Sequence, residues 1–354
     1  MAEITQLLQM CIERNASDIH LTVNKPPTLR IDGSLVQLDC ESLTSEDTQR
    51  LMKSITSEEY QRKVQEVGGV DFGFAFGDIA RFRVSVYKQK GFFGMVLRLI
   101  PSQVMSFEEI GLPEMVKDLL NKPRGLILLT GPAGSGKTTT LATMVDYINS
   151  NKDCHIITVE DPIEYYHEHK RGIITQREVG VDVSSFSEGL IKALRQNPDV
   201  ILIGEMRDLT TIEAAISAAE TGHLVLATLH TISAAHTVNR IIDVFPPYQQ
   251  DQIRIQLSNS ILAVFSQQLL LRANGHGRVA AFEIMVVTSS IQNLIREKKT
   301  YRILSEMQTG GKYGMKTFDT CLFESYQKGL ITFETAINSA FDSEQLRVKI
   351  KDFL

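Results

Sequence analysis

Gly125-Leu-Ile-Leu-Leu-Thr130 runs without a break into Gly131-Pro-Ala-Gly-Ser-Gly-Lys-Thr138. The first six residues are an apolar run of the length a buried parallel strand needs. The next eight read G-x-x-x-x-G-K-T, a loop whose glycines let successive backbone N–H groups curl towards phosphate oxygens. Gly131, Pro132, Ala133, Gly134, Ser135 and Gly136 form the cradle. Lys137 has the length to reach the β- and γ-phosphates of ATP, Thr138 offers a hydroxyl to Mg²⁺, and Thr139 continues the first helical turn. Beyond them Leu141, Met144, Val145 and Ile148 recur at helical spacing. Strand, loop and helix in that order put the phosphates at a helix N-terminus, where orphan N–H groups and the dipole favour an anion. A glycine-rich turn that matches by chance is the competing reading, and both flanks speak against it.

Three more short apolar runs follow: Ile156 to Val159, Val200 to Ile203 and Leu224 to Thr228. Helical stretches separate them, which predicts a parallel sheet with helices on both faces. Ligands bind such sheets at the carboxyl ends of the strands. The first run ends in Glu160-Asp161-Pro162, the second in Gly204-Glu205-Met-Arg-Asp208 and the third in Leu229-His230, with His223 just before it. Phosphoryl transfer to water needs a carboxylate to orient Mg²⁺ through its waters and one to position or deprotonate the nucleophile. Glu160 and Glu205 are the candidates, and Asp161 joins Thr138 and both glutamates as a candidate oxygen donor for the metal. Any one of these acids alone reads equally well as a helix cap. Two clusters on one rim favour the chemical reading. Gly204 stands where many P-loop proteins carry aspartate, which shifts the burden to the two glutamates. His223 and His230 bracket one strand and are candidates to sense the γ-phosphate. His167-Glu168-His169 reads as a solvated loop in preference to a metal cluster.

The rest of the chain bounds the answer. Its 354 residues are too many for one core. A net charge of −5 argues against a general nucleic-acid binder. Cys11, Cys40, Cys154 and Cys321 never form C-x-x-C, so no zinc ribbon or redox pair is indicated, and a cytoplasmic setting fits. The first residues carry no signal peptide, and no apolar run approaches membrane-spanning length. Residues 1–101 alternate well enough to predict a small α+β domain. Residues 102–111, with Pro101 at their edge, read as a linker. Residues 112–287 form the P-loop core, with a long helix expected over 249–271. Residues 288–354 read as short helices. Arg81 and Arg83 flank Phe82 on a predicted strand, where alternation alone makes them a solvated face.

Several segments resemble the secretion ATPase superfamily. Thr158-Val-Glu-Asp-Pro-Ile-Glu164 is similar to its Asp box, Asn197-Pro-Asp-Val-Ile-Leu-Ile-Gly-Glu-Met-Arg-Asp208 to its atypical Walker B motif, and Ala219-Glu-Thr-Gly-His-Leu-Val-Leu-Ala-Thr-Leu-His230 to its His box. Ala16-Ser-Asp-Ile-His20, Gln176-Arg-Glu-Val-Gly180 and Ile241-Ile-Asp-Val-Phe-Pro246 are family-like too. Ser290-Ile-Gln-Asn-Leu-Ile-Arg-Glu297 is similar to the AIRNLIRE motif of the pilus-retraction branch, departing from it at Ser290 and Gln292. The resemblance implies a PAS-like N-terminal domain, a RecA-like P-loop domain and a C-terminal helical region. It implies a homo-hexameric ATPase at the cytoplasmic face of the membrane, with nucleotide between the two domains. Arg81 and Arg98, with Arg83 as a further candidate, would reach the phosphates. The partners implied are an inner-membrane platform protein and the pilus machinery, without membrane insertion of the chain itself. A pilus-extension or type II secretion ATPase is the rival within the family, and a non-hydrolysing nucleotide scaffold the rival outside it.

Overall fold

The computed structural model describes residues 3–31, 33–77, 79–100 and 104–353. It divides into two compact units, Met1–Gln103 with Pro162–Tyr166, and Val104–Asp161 with His167–Leu354.

The first unit contains a six-stranded sheet: β1 (Asp18–Leu21), β2 (Thr28–Ile31), β3 (Ser34–Gln37), β4 (Gly69–Phe76), β5 (Ala80–Gln89) and β6 (Phe92–Ile100). The spatial order is β3-β2-β1-β6-β5-β4, antiparallel at every step. Successive strand residues point to opposite faces, so β5 buries Ala80, Phe82, Val84 and Val86 and turns Arg81, Arg83 and Ser85 the other way. The buried side meets Leu7, Leu8 and Cys11 of helix Ile4–Glu13 and Leu51, Met52 and Val64 of two further helices. Those two, Ser45–Ile55 and Glu58–Val67, occupy what reads in sequence as one charged helical stretch. The break is chemical: the Ser57 hydroxyl accepts from the Tyr60 N–H and starts a new helix.

The second unit is built on β7 (Gly125–Thr130), β8 (His155–Glu160), β9 (Ile173–Glu178), β10 (Val200–Ile203), β11 (Leu224–Leu229), β12 (Ile261–Leu271) and β13 (Arg278–Val286). Their order is β13-β12-β7-β11-β10-β8-β9, with every pair parallel except β12 with β13. Alternate residues of β7 enter opposite cores: Leu126 and Leu128 one, Ile127 and Leu129 the other. Helices Leu209–Glu220, Ala234–Asp243 and Pro247–Ser260 supply the first core, and helices Met115–Leu120 and Lys137–Asn151 the second. This is the expected α/β, RecA-like layering, with helices of the C-terminal region following β13.

Three expectations change. The long helix over 249–271 is a helix to Ser260 and then β12, which lies beside β7 in the sheet. Ala263, Val264 and Phe265 are buried on both faces, so an unbroken apolar run cannot reveal its period. β9 extends the sheet where no strand was expected; Ile173, Ile174 and Thr175 are the signal available for it. Within the stretch read as a linker, Pro101, Ser102 and Gln103 lie outside the described residues. Its later part is the one-turn helix Phe107–Ile110, capped by Ser106, with Phe107 and Ile110 in the second unit's core. Among the described residues no helix is long and apolar enough to cross a membrane.

Candidate active site

Four parallel strands bring the candidate residues to one edge of the sheet. The register sets Leu128, Ala227, Ile203 and Val159 side by side in β7, β11, β10 and β8. One residue further along, Glu160 ends β8 level with Thr228 of β11. Because β11 lies between β7 and β10, His230 emerges between the glycine loop and Glu205.

The loop itself is shaped by its neighbour β12. Gly131 has φ 142°, and a Cβ there would lie 2.2 Å from the carbonyl oxygen of Gln267. Gln267 is buried, and its Oε1 accepts from the Thr140 hydroxyl at 2.8 Å. The Thr130 hydroxyl donates to that of Ser266 at 2.9 Å. Lys137 is 9% exposed, and its ammonium donates to the carbonyls of Gly131 (2.8 Å) and Pro132 (3.0 Å). The Ser135 hydroxyl is buried with no hydrogen-bond partner among the described residues, a polar group that a phosphate oxygen would satisfy. Gly131→Ala should destabilise the fold by about 2–3 kcal/mol, from a contact with backbone that no rotamer relieves. It should also abolish nucleotide binding. Thermal unfolding and titration with a fluorescent nucleotide measure the two, and wild-type values in both would contradict this geometry.

Glu205 sits at the centre of the rim. Its Oε1 takes both the Arg207 guanidinium and His230 Nε2, the latter at 3.1 Å, and Oε2 has no partner among the described residues. Burial alone would raise its pKa, but the Arg207 hydrogen bond and the charges of His230 and Arg207 hold it below the usual value. An ionised carboxylate only accepts, so His230 Nε2 carries the proton in this pair. Gly204 explains why no aspartate precedes it. A side chain there would meet the Val159 carbonyl at 3.2 Å and the Phe186 ring at 3.3 Å.

Glu160 is 9% exposed and accepts at Oε1 from Thr158 (2.6 Å) and Gln176 Nε2 (3.2 Å). Gln176 comes from β9, the unexpected strand, and also accepts from the His167 N–H at 2.8 Å. Glu160 is thus the fixed carboxylate, and Glu205 the one with an uncommitted oxygen. Asp161 is exposed beside them and contributes to the raised pKa of Arg207.

His223 is not at this edge. It precedes β11, its backbone carbonyl accepts from the Gly125 N–H, and its Nδ1 lies 3.0 Å from the Ala218 carbonyl. Six strand residues, roughly 20 Å, separate it from His230. The two histidines bracket the strand and therefore occupy opposite ends of it. His167 and His169 are structural: burial lowers the pKa of the first, and the second accepts from the Ile174 N–H.

Glu283 was invisible in sequence, a single acid within an apolar strand. It is 3% exposed on β13 and accepts from the Ala234 N–H at 2.7 Å. Ala234 opens the helix that follows the His230 loop, so Glu283 pins that loop from behind. Burial raises its pKa despite the backbone donors. A carboxyl with a raised folded pKa favours the protonated fold. That contribution is full below the unfolded value of about 4.3 and fades as pH rises through the folded one. The stability of Glu283→Gln relative to wild type should therefore improve from pH 4 to pH 7. Denaturant titrations of both proteins test this, and a trend of the opposite sign would refute it.

The arginines belong to the first unit. Arg81 lies over the Tyr166 ring, 3.0 Å from its centroid. Arg83 pairs with Glu164 at 3.7 Å, and Arg98 donates through Nε to Asp18 at 2.9 Å.

The family model described as "Type II/IV secretion system protein" matches residues 1–335. The chain belongs to that family. It is 47% identical to the "Type IV pilus retractation ATPase PilT" of Pseudomonas aeruginosa, over 96% of this chain and 98% of that one. It is 44% identical to a "Twitching motility protein" of Neisseria gonorrhoeae, over 90% of this chain and 86% of that one. A crystal structure described as the pilus retraction motor PilT with bound ADP is similar at a TM-score of 0.92 and 47% identity, covering 98% of this chain and all of the other. The residues matched by the family model span both of the units described above, not the P-loop unit alone.

Proposed function

We propose that this chain is a motor ATPase of type IV pilus retraction, converting ATP and water to ADP and phosphate and using the work to take pilin subunits from the fibre base. One observation carries the chemistry: Glu205, held by Arg207 and His230, stands on the same sheet edge as the Lys137 loop. In this reading the backbone N–H groups of residues 133–137 and the Lys137 ammonium neutralise the β- and γ-phosphates. Glu205 positions and deprotonates the attacking water, Glu160 supports it, and His230 senses the γ-phosphate. Arg81 and Arg98 supply charge to the transferring group. His223, at the far end of β11, has no part in these steps.

Magnesium fits the donors. No group of three or more His, Cys, Asp or Glu gathers as a metal cage among the described residues. Magnesium needs none when phosphates and waters fill most of its octahedron. The Thr138 hydroxyl, with Glu160, Asp161 and Glu205 through water, would supply the hard oxygen donors that hold it, and the ion would supply positive charge against the phosphates.

The protein works as a homo-hexamer against a membrane platform protein, and helix Ser289–Arg296 passes the work on. Ile291, Leu294 and Ile295 of that helix are buried, so deleting it would damage the core. Asn293 and Arg296 are exposed and hydrogen-bonded to each other. The paired substitution Asn293→Ala with Arg296→Ala should keep ATP hydrolysis within about twofold, as surface changes usually do. It should stop retraction of visible pili. Loss of hydrolysis as well would reduce the helix to a folding element.

A further inference from the structure

The register of the first unit's sheet sets Arg30 of β2, Asp18 of β1, Arg98 of β6 and Arg83 of β5 in one row across four adjacent strands. Directly paired positions share a face, so three arginines and one aspartate stand together, with Arg81 two residues from Arg83 on the same face. Such a row repels itself unless an anion completes it. Asp18 supplies one charge. It is 4% exposed, and its Oδ1 accepts from Arg98 Nε at 2.9 Å. Its Oδ2 accepts from the Ser17 hydroxyl at 2.7 Å and lies 3.7 Å from Arg30 Nε. The backbone of Ser17 is tied to both neighbouring strands, through the Arg30 carbonyl and the Leu99 N–H. The anchor is therefore rigid.

The three candidate arginines differ in what their guanidinium groups do. Arg81 is stacked on Tyr166 and Arg83 faces Glu164. Arg98 is held at Nε alone, its side chain is 66% exposed, and its two terminal nitrogens have no partner among the described residues. A guanidinium fixed by Nε presents its remaining N–H groups as a planar fork, the shape that binds phosphate oxygens two at a time.

We infer that Asp18 is a positioning residue for Arg98, holding the guanidinium so that its fork meets the transferring phosphate without first losing side-chain freedom. This rests on the reading of Arg98 as a group that acts on the nucleotide. Asp18 itself touches no phosphate. The pairing holds its carboxyl below the ordinary range although burial pushes the other way, so it stays an acceptor at neutral pH.

The test is a double-mutant cycle on the full-length chain, with kcat and KM for ATP and thermal unfolding measured for each variant. Arg98→Ala should lower kcat about 10²-fold, as loss of one charge-stabilising donor does. Asp18→Asn should lower kcat about tenfold and leave KM within about threefold, because a misplaced group costs rate more than binding. The double variant should match Arg98→Ala, since Asp18 has nothing left to position. A double variant that falls below Arg98→Ala by the full Asp18→Asn factor would make Asp18 an independent structural residue. Wild-type kcat in Asp18→Asn with an impaired Arg98→Ala would overturn the inference alone. Wild-type kcat in Arg98→Ala would overturn the role of Arg98 and the inference with it. Should Asp18→Asn not fold, Ser17→Ala removes the Oδ2 hydrogen bond together with the longer 3.3 Å contact of the same hydroxyl with the Arg30 carbonyl, and leaves the Asp18 carboxylate in place. Its kcat should fall about two- to fivefold at unchanged KM, and no fall would refute the anchor.

Discussion

Lys137→Ala loses ATP hydrolysis by about 10³-fold or more while keeping the fold. The size follows from position. Lys137 begins the helix Lys137–Asn151 and is almost wholly buried against the Gly131 and Pro132 carbonyls, so its charge acts where water screens it little. Removing one such fixed donor from a phosphoryl-transfer site costs about 10²–10³ in rate, and Lys137 carries a full charge besides. The helix loses little, because alanine is the best helix former. Phosphate release and a melting curve on one preparation check both halves. Normal hydrolysis in a folded variant would remove the loop from the chemistry.

Glu205→Gln separates binding from chemistry. The amide keeps the shape and can still accept from Arg207 or His230, but it can neither deprotonate water nor offer a charged oxygen. A positioned general base contributes about 10²–10⁴-fold, so kcat should fall within that range while ADP binding stays near wild type. Glu160→Gln is the comparison. Its carboxylate is already engaged by Thr158 and Gln176, so its loss should cost less than that of Glu205. The reverse ranking would exchange the two roles.

Much of this was legible in the sequence because the signals are local. The glycine loop, the apolar strand before it and the acids at strand ends each occupy a few consecutive residues. A parallel sheet then carries those ends to one edge. The failures were failures of direction and of partnership. His223 and His230 look equivalent as brackets of a strand, yet a strand has two ends and only one faces the loop. β12 reads as helix because residues buried on both faces lose their period, and with it went Gln267, which shapes Gly131 from the next strand. Asp18, Gln176 and Glu283 are each defined by a partner 16 to 80 positions away. No spacing rule reaches that far. Arg81 and Arg98 entered through family resemblance; the pairing of Asp18 with Arg98 gives one of them a physical reason.

In the proposed function, ATP hydrolysis at the Lys137–Glu205 edge drives retraction. This coupling is tested most directly by counting surface pili, and watching them shorten, in a strain that lacks this chain. The strain is then supplied with wild type or with Glu205→Gln. The expected result is excess pili that never shorten, cured by wild type and not by Glu205→Gln. A strain with no pili at all would contradict it and make the chain a motor of extension or secretion.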